Sequence, residues 1–317
     1  MKKVSIIIPV KEINDYIREA MRFYPNLDYE DYEILIFPDE ESDETFPNTR
    51  IIPSGKVGPA EKRDMSLKYA TGDIFAFIDD DAYPRNDWLK NAVKYFDNPE
   101  VGAVGGPAVT APQDGILQQA SGKVYESFLC SGGYTYRYLA KAEREVDDLP
   151  SVNLIVRRDV FEQVGGYDSN FYPGEDTKLC LDIVEKAKKK IIYSPDVYVY
   201  HHRRKMFKQH LKQATNYAKH RGYFAKKLPQ TSLKLAYFIP SLFVIGLIIG
   251  PVVCAFVPIL WYAYWSVLAL YLLLLIISIR KPGSFAVWIL TILGIFATHF
   301  GYGVCFIRGL LSKELLR

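Results

Sequence analysis

Short apolar runs alternate with stretches of helical periodicity over the first two thirds of the chain. Runs rich in Val, Ile, Phe and Tyr predict strands, and apolar residues spaced three and four apart predict helices. The predicted strands cover residues 4–9, 32–37, 51–53, 74–78, 101–109 and 191–200. The predicted helices cover residues 14–23, 60–69, 88–96, 159–164 and 177–189. This alternation indicates an α/β domain built on a mainly parallel sheet with helices on both faces.

Residues 110–150 interrupt this alternation. The segment is rich in Gly, Tyr, Ser and Gln and follows neither the strand period nor the helix period clearly. A stretch of this length without a pattern is typical of a functional loop or lid beside a binding site. An ordinary helix with a weak pattern is the alternative.

The last third of the chain is almost continuously apolar from residue 235 to residue 311. Pro258 and the sequence Arg280-Lys281-Pro282-Gly283 divide it into three candidate spans, at residues 235–257, 259–279 and 285–307. Each span reaches the ~20 residues that a helix needs to cross ~30 Å of hydrocarbon. We therefore expect a transmembrane region over residues 235–317. A water-soluble helical core is the disfavoured alternative.

Basic residues are concentrated just before this apolar region. The chain has a net charge of +3, yet residues 201–234 contain ten Lys and Arg and no acidic residue, so the remainder carries −7. A cationic stretch beside a span is attracted to anionic headgroups and marks the cytoplasmic side. We expect a multi-pass protein of the cell membrane whose first domain, residues 1–204, is cytoplasmic. Nucleic-acid binding, the rival explanation of a basic run, is not expected.

Residues 205–234 connect the two parts. They mix Phe207, Leu211, Tyr217 and Phe224 with Lys and Arg. This composition predicts an amphipathic helix lying in the headgroup plane of a lipid bilayer. A linker helix on the surface of the first domain is the alternative.

The C-terminal tail does not fit three complete spans. With the basic segment inside, an odd number of spans would place Arg308, Lys313 and Arg317 outside, against the positive-inside rule. Either the third span fails to cross fully or the tail tolerates that placement. The spans also allow oligomerisation.

Three consecutive carboxylates, Asp79-Asp80-Asp81, close the apolar run 74–78. An apolar strand that ends in like charges places them at the carboxyl edge of a sheet, where open α/β folds bind ligands. Adjacent acids repel one another unless a cation lies among them. Mg²⁺ and Mn²⁺ suit such oxygen ligands and commonly accompany a phosphate-bearing substrate. A solvated acidic turn is the alternative.

Five segments occur in an order that resembles a known family. Residues 4–10 are similar to an opening strand, 39–45 to an acidic loop after the second strand, and 58–73 to the segment leading to a metal motif. The acid triplet resembles Asp-x-Asp, and residues 164–168 with 174–176 resemble a segment holding a catalytic base. Together these segments resemble the family 2 glycosyltransferases. The likeness covers residues 4–204 and implies the Rossmann-like GT-A fold that binds nucleotide sugars.

The resemblance implies a UDP- or GDP-sugar donor and a divalent metal, Mn²⁺ or Mg²⁺. Pro38 and Glu40 depart from the family pattern, which leaves base recognition by their loop open. The Gln-x-x-Arg-Trp motif of processive synthases is missing, which favours the addition of one or a few sugars. The resemblance assigns metal binding to Asp79, Asp81 and His201, and donor binding to Pro9, Val10, Glu12, Asp39, Arg63, Asp79 and Asp80.

On the acceptor side the resemblance assigns the catalytic base to Asp176, which would deprotonate an attacking hydroxyl and invert the anomeric centre. A helix N-cap is the alternative role for this Asp. Because an alcohol needs a base and a phosphate does not, we expect a hydroxyl on a lipid-linked sugar or glycolipid as the acceptor. Polyprenyl phosphate, or a non-catalytic membrane scaffold, is the alternative. The residues expected on the acceptor or phosphate side are Asn153, Glu175, His202, Arg203 and Arg204.

Overall fold

A computed structural model describes residues 2–279, 281 and 283–315, which form two compact units. The first unit comprises the residues up to Ala111 together with Tyr136–His202. The second comprises Pro112–Thr135 together with the residues from Arg203 onward. The first unit ends at His202, two residues before the predicted boundary, but residues 112–135, which fall within the predicted first domain, belong to the second unit.

Over the first 100 residues the elements follow the sequence pattern, except that the predicted helix 60–69 divides at Met65 and the strand expected at 51–53 lies at Thr49–Ile51. The strands are β1 (Val4–Pro9), β2 (Tyr32–Phe37), β3 (Thr49–Ile51), β4 (Ile74–Phe77), β5 (Ala82–Pro84), β6 (Val101–Gly105), β7 (Ala108–Thr110), β8 (Arg144–Val146), β9 (Leu154–Arg157), β10 (Lys190–Tyr193) and β11 (Val199–His201). The helices are α1 (Asp15–Ala20), α2 (Pro59–Asp64), α3 (Ser66–Tyr69), α4 (Trp88–Val93), α5 (Ile116–Glu126), α6 (Phe128–Ser131), α7 (Arg158–Val164), α8 (Glu175–Glu185), α9 (Lys208–Lys227), α10 (Pro229–Ser232), α11 (Leu235–Phe256), α12 (Leu260–Ser278) and α13 (Phe285–Leu311).

The large sheet of the first unit has the strand order β3-β2-β1-β4-β9-β6-β10-β8. The strands β3, β2, β1 and β4 run parallel to one another, and β6 runs parallel to β10. The central strand β9 is antiparallel to both β4 and β6, and β8 is antiparallel to β10. The α/β class is confirmed, and the sheet is mixed.

Alternate residues of the central strands fill two core layers. Every residue of β1 and β4 is buried, as continuous apolar runs between two layers of other elements require. On one face Ile74 belongs to the cluster that contains Trp88. On the other face Phe75 and Phe77 pack on Phe161, with ring centroids 5.6 and 5.2 Å apart. Both faces of the sheet are therefore covered.

A second, three-stranded sheet with the order β5-β11-β7 lies in the same unit. The predicted strand 101–109 is wrong as one element, because it breaks at Gly105-Gly106-Pro107 into β6 and β7. A side chain at Gly106 would lie 1.9 Å from the carbonyl oxygen of Val197, so the chain can pass there only as glycine. The predicted strand 191–200 also divides, into β10 and β11.

In the second unit, α13 packs beside α9 and α5. A side chain at Gly309 would lie 1.9 Å from the carbonyl oxygen of Lys219, so α9 and α13 approach closely. His210 of α9 lies between Ser121 (2.7 Å) and Thr298 (2.9 Å), which links α5, α9 and α13. Within residues 110–150, the part that packs here is thus helical, over Ile116–Glu126 and Phe128–Ser131, whereas the later part contains β8 and irregular segments.

Among the described residues, three helices are long and apolar enough to cross a membrane: α11, α12 and α13. Their bounds agree with the three candidate spans to within a few residues. The predicted basic segment 205–234 contains α9 and α10. The expectations placed on Arg280, Pro282 and Arg317 lie outside the described residues.

Candidate active site

Three parallel strands end at one edge of the large sheet. β1 pairs with β2 and with β4, and Pro9 lies opposite Phe37 at the end of the pairing. Val10, Asp39 and Asp79 follow the ends of these three strands. The sheet therefore brings together residues that were expected to bind the donor, at the edge where open α/β sheets bind ligands.

A cavity of about 510 Å³ opens at this edge. The loops after β1 and β2 form it, and carboxylates dominate its rim. Such a rim accepts hydrogen bonds from N–H groups, as a nucleobase would offer. The cavity includes the predicted residues Glu12 and Asp39, and the lining residues are Lys11, Glu12, Ile13, Pro38, Asp39, Glu40, Glu41, Ser42 and Glu44.

Lys62 holds the ends of β1 and β2 together. This lysine of α2 is 3% exposed, and its ammonium donates to the carbonyl oxygens of Val10 (2.5 Å) and Phe37 (3.2 Å). It also donates to the carboxylate of Asp39. A buried ammonium needs such partners to offset its lost hydration. The sequence interpretation missed Lys62, since its burial depends on strand ends that are distant in sequence.

Arg63 joins the acid triplet to the start of α8. Its guanidinium donates to Asp79 at 2.7 Å and to Glu175 at 3.1 Å, and it lies 5.4 Å from the ring centre of Tyr167. Arg63 and Glu175 are both almost completely buried. The Arg63 guanidinium therefore binds two carboxylates of the protein itself. Its assignment to the donor stays a prediction.

Asp81 and His201 lie side by side. The antiparallel pairing of β11 with β5 sets His201 opposite Ala82, and His201 Nε2 is 3.1 Å from Asp81 Oδ1. Within the described part of the chain no three His, Cys, Asp or Glu side chains form a metal-holding group. Mg²⁺ commonly takes one or two protein carboxylates and completes its shell with substrate phosphates and water. The Asp81–His201 pair fits the part of such a coordination shell that the protein supplies.

The neighbours of this pair are anchored to α1. Asp80 accepts a hydrogen bond from the amide of Asn14 at 2.6 Å, and Asn14 also caps α1. The backbone N–H of His202 donates to the carbonyl oxygen of Asp81 at 2.9 Å. The Nε2 atom of the His202 side chain lies 3.3 Å from the carboxylate of Glu19 in α1. His202 is thus a buried support of the pair, and its own expected role on the acceptor or phosphate side stays a prediction.

Asp176 lies in the first turn of α8, directly after Glu175. The N-cap position is held by Gly174, whose φ of 118° suits glycine, so Asp176 is not the N-cap. Its carboxylate accepts a hydrogen bond from the N–H of Thr177 at 2.8 Å and is half-buried. A half-buried carboxylate beside the Arg63–Glu175 pair has the exposure that a proton acceptor requires.

Asp64 shapes the loop before α8. Its two carboxylate oxygens accept the N–H groups of Tyr167 (2.7 Å) and Asp168 (3.2 Å). A side chain at Gly166 would lie 2.4 Å from Asp64 Oδ1, so this close approach requires glycine. Burial raises the pKa of the Asp64 carboxyl to about 6.

Asn153, Arg203 and Arg204 were expected on the acceptor or phosphate side, and for the two arginines this stays a prediction. Asn153 is 1% exposed, accepts from Trp88 Nε1 at 2.9 Å and donates to the carbonyl of Val197 at 2.7 Å. This environment does not support the acceptor-side assignment. Arg203 and Arg204 belong to the second unit. The backbone N–H of Arg203 donates to Asp114 at 2.9 Å, and Arg204 is exposed.

Comparison with known families gives a match to the model described as Glycosyl transferase family 2, over residues 5–165. A relative from Methanococcus voltae is 25% identical, with 98% of each chain covered. Its name is dolichyl N-acetyl-α-D-glucosaminyl phosphate 3-β-D-2,3-diacetamido-2,3-dideoxy-β-D-glucuronosyltransferase. A glucosyl-dolichyl phosphate glucuronosyltransferase from Haloferax volcanii is 31% identical, over 45% of this chain and 47% of the relative.

Among solved structures, a mannosyltransferase from Pyrobaculum calidifontis has a similar fold. The TM-score is 0.62 at 21% identity, and the match covers 99% of this chain and 88% of that one. That structure holds GDP-mannose and Mn²⁺. At this identity the likeness concerns the fold, and it confirms the GT-A expectation for the first unit followed by C-terminal helices.

Proposed function

The chain belongs to the family 2 glycosyltransferases, and we propose that it transfers a sugar from a nucleoside-diphosphate sugar to a hydroxyl of a lipid-linked acceptor, with inversion. The bridge formed by Arg63 carries this proposal. One buried guanidinium contacts both Asp79, at the end of β4, and Glu175, beside Asp176. This bridge supports a single reaction centre in which the acid triplet faces the donor and Asp176 faces the acceptor.

On the donor side, the acidic cavity takes the nucleobase and ribose. Asp39 accepts from base or ribose hydrogen-bond donors, and Lys62 fixes the orientation of its carboxylate. Pro9, Val10 and Glu12 border the same crevice, and Asp79 and Asp80 lie at its diphosphate end. Because these residues stand on strand ends, their relative positions are set by the sheet before the donor binds.

Asp81 and His201 hold a divalent cation, Mn²⁺ or Mg²⁺. When bound, this cation supplies positive charge where negative charge develops on the leaving diphosphate. The 3.1 Å approach of the carboxylate and the imidazole supports a shared ligand role. His202 and Glu19 position the pair from behind, because the N–H of His202 bonds to the carbonyl of Asp81.

On the acceptor side, Asp176 removes the proton from the attacking hydroxyl. The hydroxyl oxygen then forms a bond to the anomeric carbon, and the bond from that carbon to the diphosphate breaks on the opposite face. Glu175 is buried and paired with Arg63, so we assign it the role of orienting the start of α8.

The acceptor is the sugar of a glycosylated lipid phosphate. Two curated relatives carry names in which the substrate is a sugar on a dolichyl phosphate. Three apolar helices follow the catalytic unit in this chain, which supports a reaction at the membrane surface. A sugar hydroxyl also explains the need for a base, which an ionised phosphate acceptor would not require.

The test uses the full-length protein in detergent with a panel of UDP- and GDP-sugars and lipid-linked sugar acceptors. Asp176→Asn should bind donor with wild-type affinity by calorimetry and lose transfer by at least a hundredfold. Asp81→Ala should weaken Mn²⁺ and donor binding. Asp168→Asn, at an exposed carboxylate in the preceding loop, is the matched control and should keep full transfer. Full transfer by Asp176→Asn would refute the assignment of the base.

A further inference from the structure

The last helix, α13, has one buried face and one exposed apolar face. It has 27 residues, which correspond to ~40 Å at 1.5 Å per residue. The buried face carries small and polar residues as well as apolar ones, among them Thr291, Gly294, Thr298 and Gly303. Exposed apolar side chains recur every three or four residues from Phe285 to Val304, and Arg308 and Leu311 follow on the same face; the apolar members are Phe285, Ile289, Leu293, Phe296, Phe300, Val304 and Leu311.

Polar helices cover the buried face of α13 from Gly294 to Gly309. Val124 of α5 lies against Gly294, His210 of α9 bonds to Thr298, and the carbonyl of Lys219 lies against Gly309. α9 also exposes lysines to its surroundings. If α13 crossed the bilayer, α9 would follow it into the hydrocarbon with these charges, at a large cost. The exposed lysines of α9 are Lys208, Lys212, Lys226 and Lys227.

The part of α13 that precedes α9 is too short to cross alone. Thr298 already contacts α9, and residues 285–297 amount to ~20 Å of helix against ~30 Å of hydrocarbon. A spanning helix would therefore have to include the half that carries α9.

The contacts of α13 with α11 and α12 also argue against a third span. α11 and α12 form an antiparallel hairpin: Phe243 packs on Tyr271, and towards the hairpin tip Gly250 lies against Tyr264. A third span antiparallel to α12 would carry the last turns of α13 to that tip. Instead Phe306 packs on Phe238, in the first turn of α11, with ring centroids 4.8 Å apart.

The start and middle of α13 lie near the same end of the hairpin. Val287 shares a hydrophobic cluster with Leu275 and Ile279, at the end of α12. His299 accepts from or donates to the hydroxyl of Tyr271 at 2.9 Å. From Val287 to Phe306, the contacts of α13 thus stay within the half of the hairpin that lies away from its tip.

We infer that α11 and α12 alone cross the bilayer and that α13 lies along the cytoplasmic surface, with its exposed stripe in the boundary between headgroups and acyl chains. An apolar stripe on a helix whose other face is covered by protein suits that depth. Arg308 and Lys313 then lie on the same side as the lysines of α9, in agreement with the positive-inside rule. This inference rests on the proposed attachment to a membrane.

Cysteine accessibility separates the two topologies. In a full-length background with Cys130, Cys180, Cys254 and Cys305 replaced by Ala, single cysteines are introduced as Gln230→Cys, Pro258→Cys and Lys313→Cys. A membrane-impermeant maleimide is applied to intact cells and to inverted vesicles. We expect Gln230→Cys and Lys313→Cys to label from the inverted side at least tenfold more than from the outside, and Pro258→Cys to show the reverse.

Lys313→Cys labelling with the sidedness of Pro258→Cys would overturn the inference and leave the membrane attachment standing. Pro258→Cys labelling with the sidedness of Gln230→Cys would show that α11 and α12 do not cross, and would overturn both. A second pair keeps the native cysteines: Phe300→Lys and Leu270→Lys, exposed residues near the middle of α13 and α12. We expect Leu270→Lys to reduce the folded yield several-fold and Phe300→Lys to retain at least half. Equal losses would contradict the surface position of α13.

Discussion

Replacement of Arg63 by Met tests the bridge between the acid triplet and α8. The substitution keeps much of the volume but leaves Glu175, 6% exposed, without its cation in a dry environment. Removing one partner of a buried ion pair costs about 3–5 kcal/mol. Asp79 is a third exposed in its side chain, so water compensates for most of the loss there. The expected destabilisation therefore comes mainly from Glu175.

The assay is thermal unfolding of the full-length protein in detergent, followed by its transfer activity at a temperature where the variant is folded. A loss of about 3–5 kcal/mol lowers the midpoint by roughly 6–20 °C for a domain of this size. Arg18→Met is the matched control. Arg18 also contacts two carboxylates, Asp15 and Glu44, but on the surface, so its loss should leave the midpoint nearly unchanged.

A double-mutant cycle separates the ion pair from packing. Glu175→Gln removes the charge that Arg63→Met would leave unpaired. The double variant should therefore lose about 1–3 kcal/mol less stability than the two single variants lose in sum. Additive losses, or an Arg63→Met variant with a wild-type midpoint, would refute the role of Arg63 as a buried bridge. Transfer at a wild-type rate in folded Arg63→Met would separate the bridge from catalysis.

Three further changes test the supports of the site. Lys62→Met should raise the KM for the donor at least tenfold with a smaller change in kcat, since it frees Val10 and Asp39; an unchanged KM in initial-rate measurements would contradict this. Asp64→Asn should alter the pH dependence of stability. The folded pKa of about 6 exceeds the unfolded value of ~3.9, so the folded state binds the proton more tightly. The contribution of Asp64 to stability is complete below pH ~4 and is lost as the pH rises to about 6. The difference between the thermal midpoints of the wild type and Asp64→Asn should therefore fall over that interval. A constant difference would contradict this prediction. Gly166→Ala should cost about 2–3 kcal/mol, because its φ of 76° and the nearby Asp64 oxygen both oppose a side chain. Gly165→Ala, with a φ of 81° but open space, should cost about 1 kcal/mol in the same unfolding assay.

The strands that could be predicted are those whose own residues are buried on both faces. β1, β2 and β4 are continuous apolar runs, and the structure confirms their position to within one residue. β9 was missed because Leu154-Ile155-Val156 is short, and its partners β4 and β6 lie about 50 to 80 residues away. The division of 191–200 into two strands depends on Gly106 approaching Val197, a contact between distant segments.

The same contrast applies to the site. Asp39 and Asp79 could be found because each follows an apolar run, and strand ends meet at one edge of a parallel sheet. Lys62 and Asp64 could not, because a charged residue in a short amphipathic helix usually faces water. Their burial arises from the carbonyls of Val10 and Phe37 and from the loop at Tyr167, none of which is a neighbour in sequence.

The supports of the site converge on α2. Lys62, Arg63 and Asp64 are consecutive, so their side chains leave the helix about 100° apart. Lys62 holds the ends of β1 and β2, Arg63 joins the end of β4 to α8, and Asp64 fixes the loop before α8. Within one helical turn these three positions are rigidly related. A displacement of α2 would therefore move the acidic cavity, the acid triplet and the start of α8 together. Under the proposed function, this one short helix sets the distance between the donor and Asp176, the proposed base. The hydrogen bond from the N–H of Gly58 to Glu61, at the start of α2, keeps that helix from fraying.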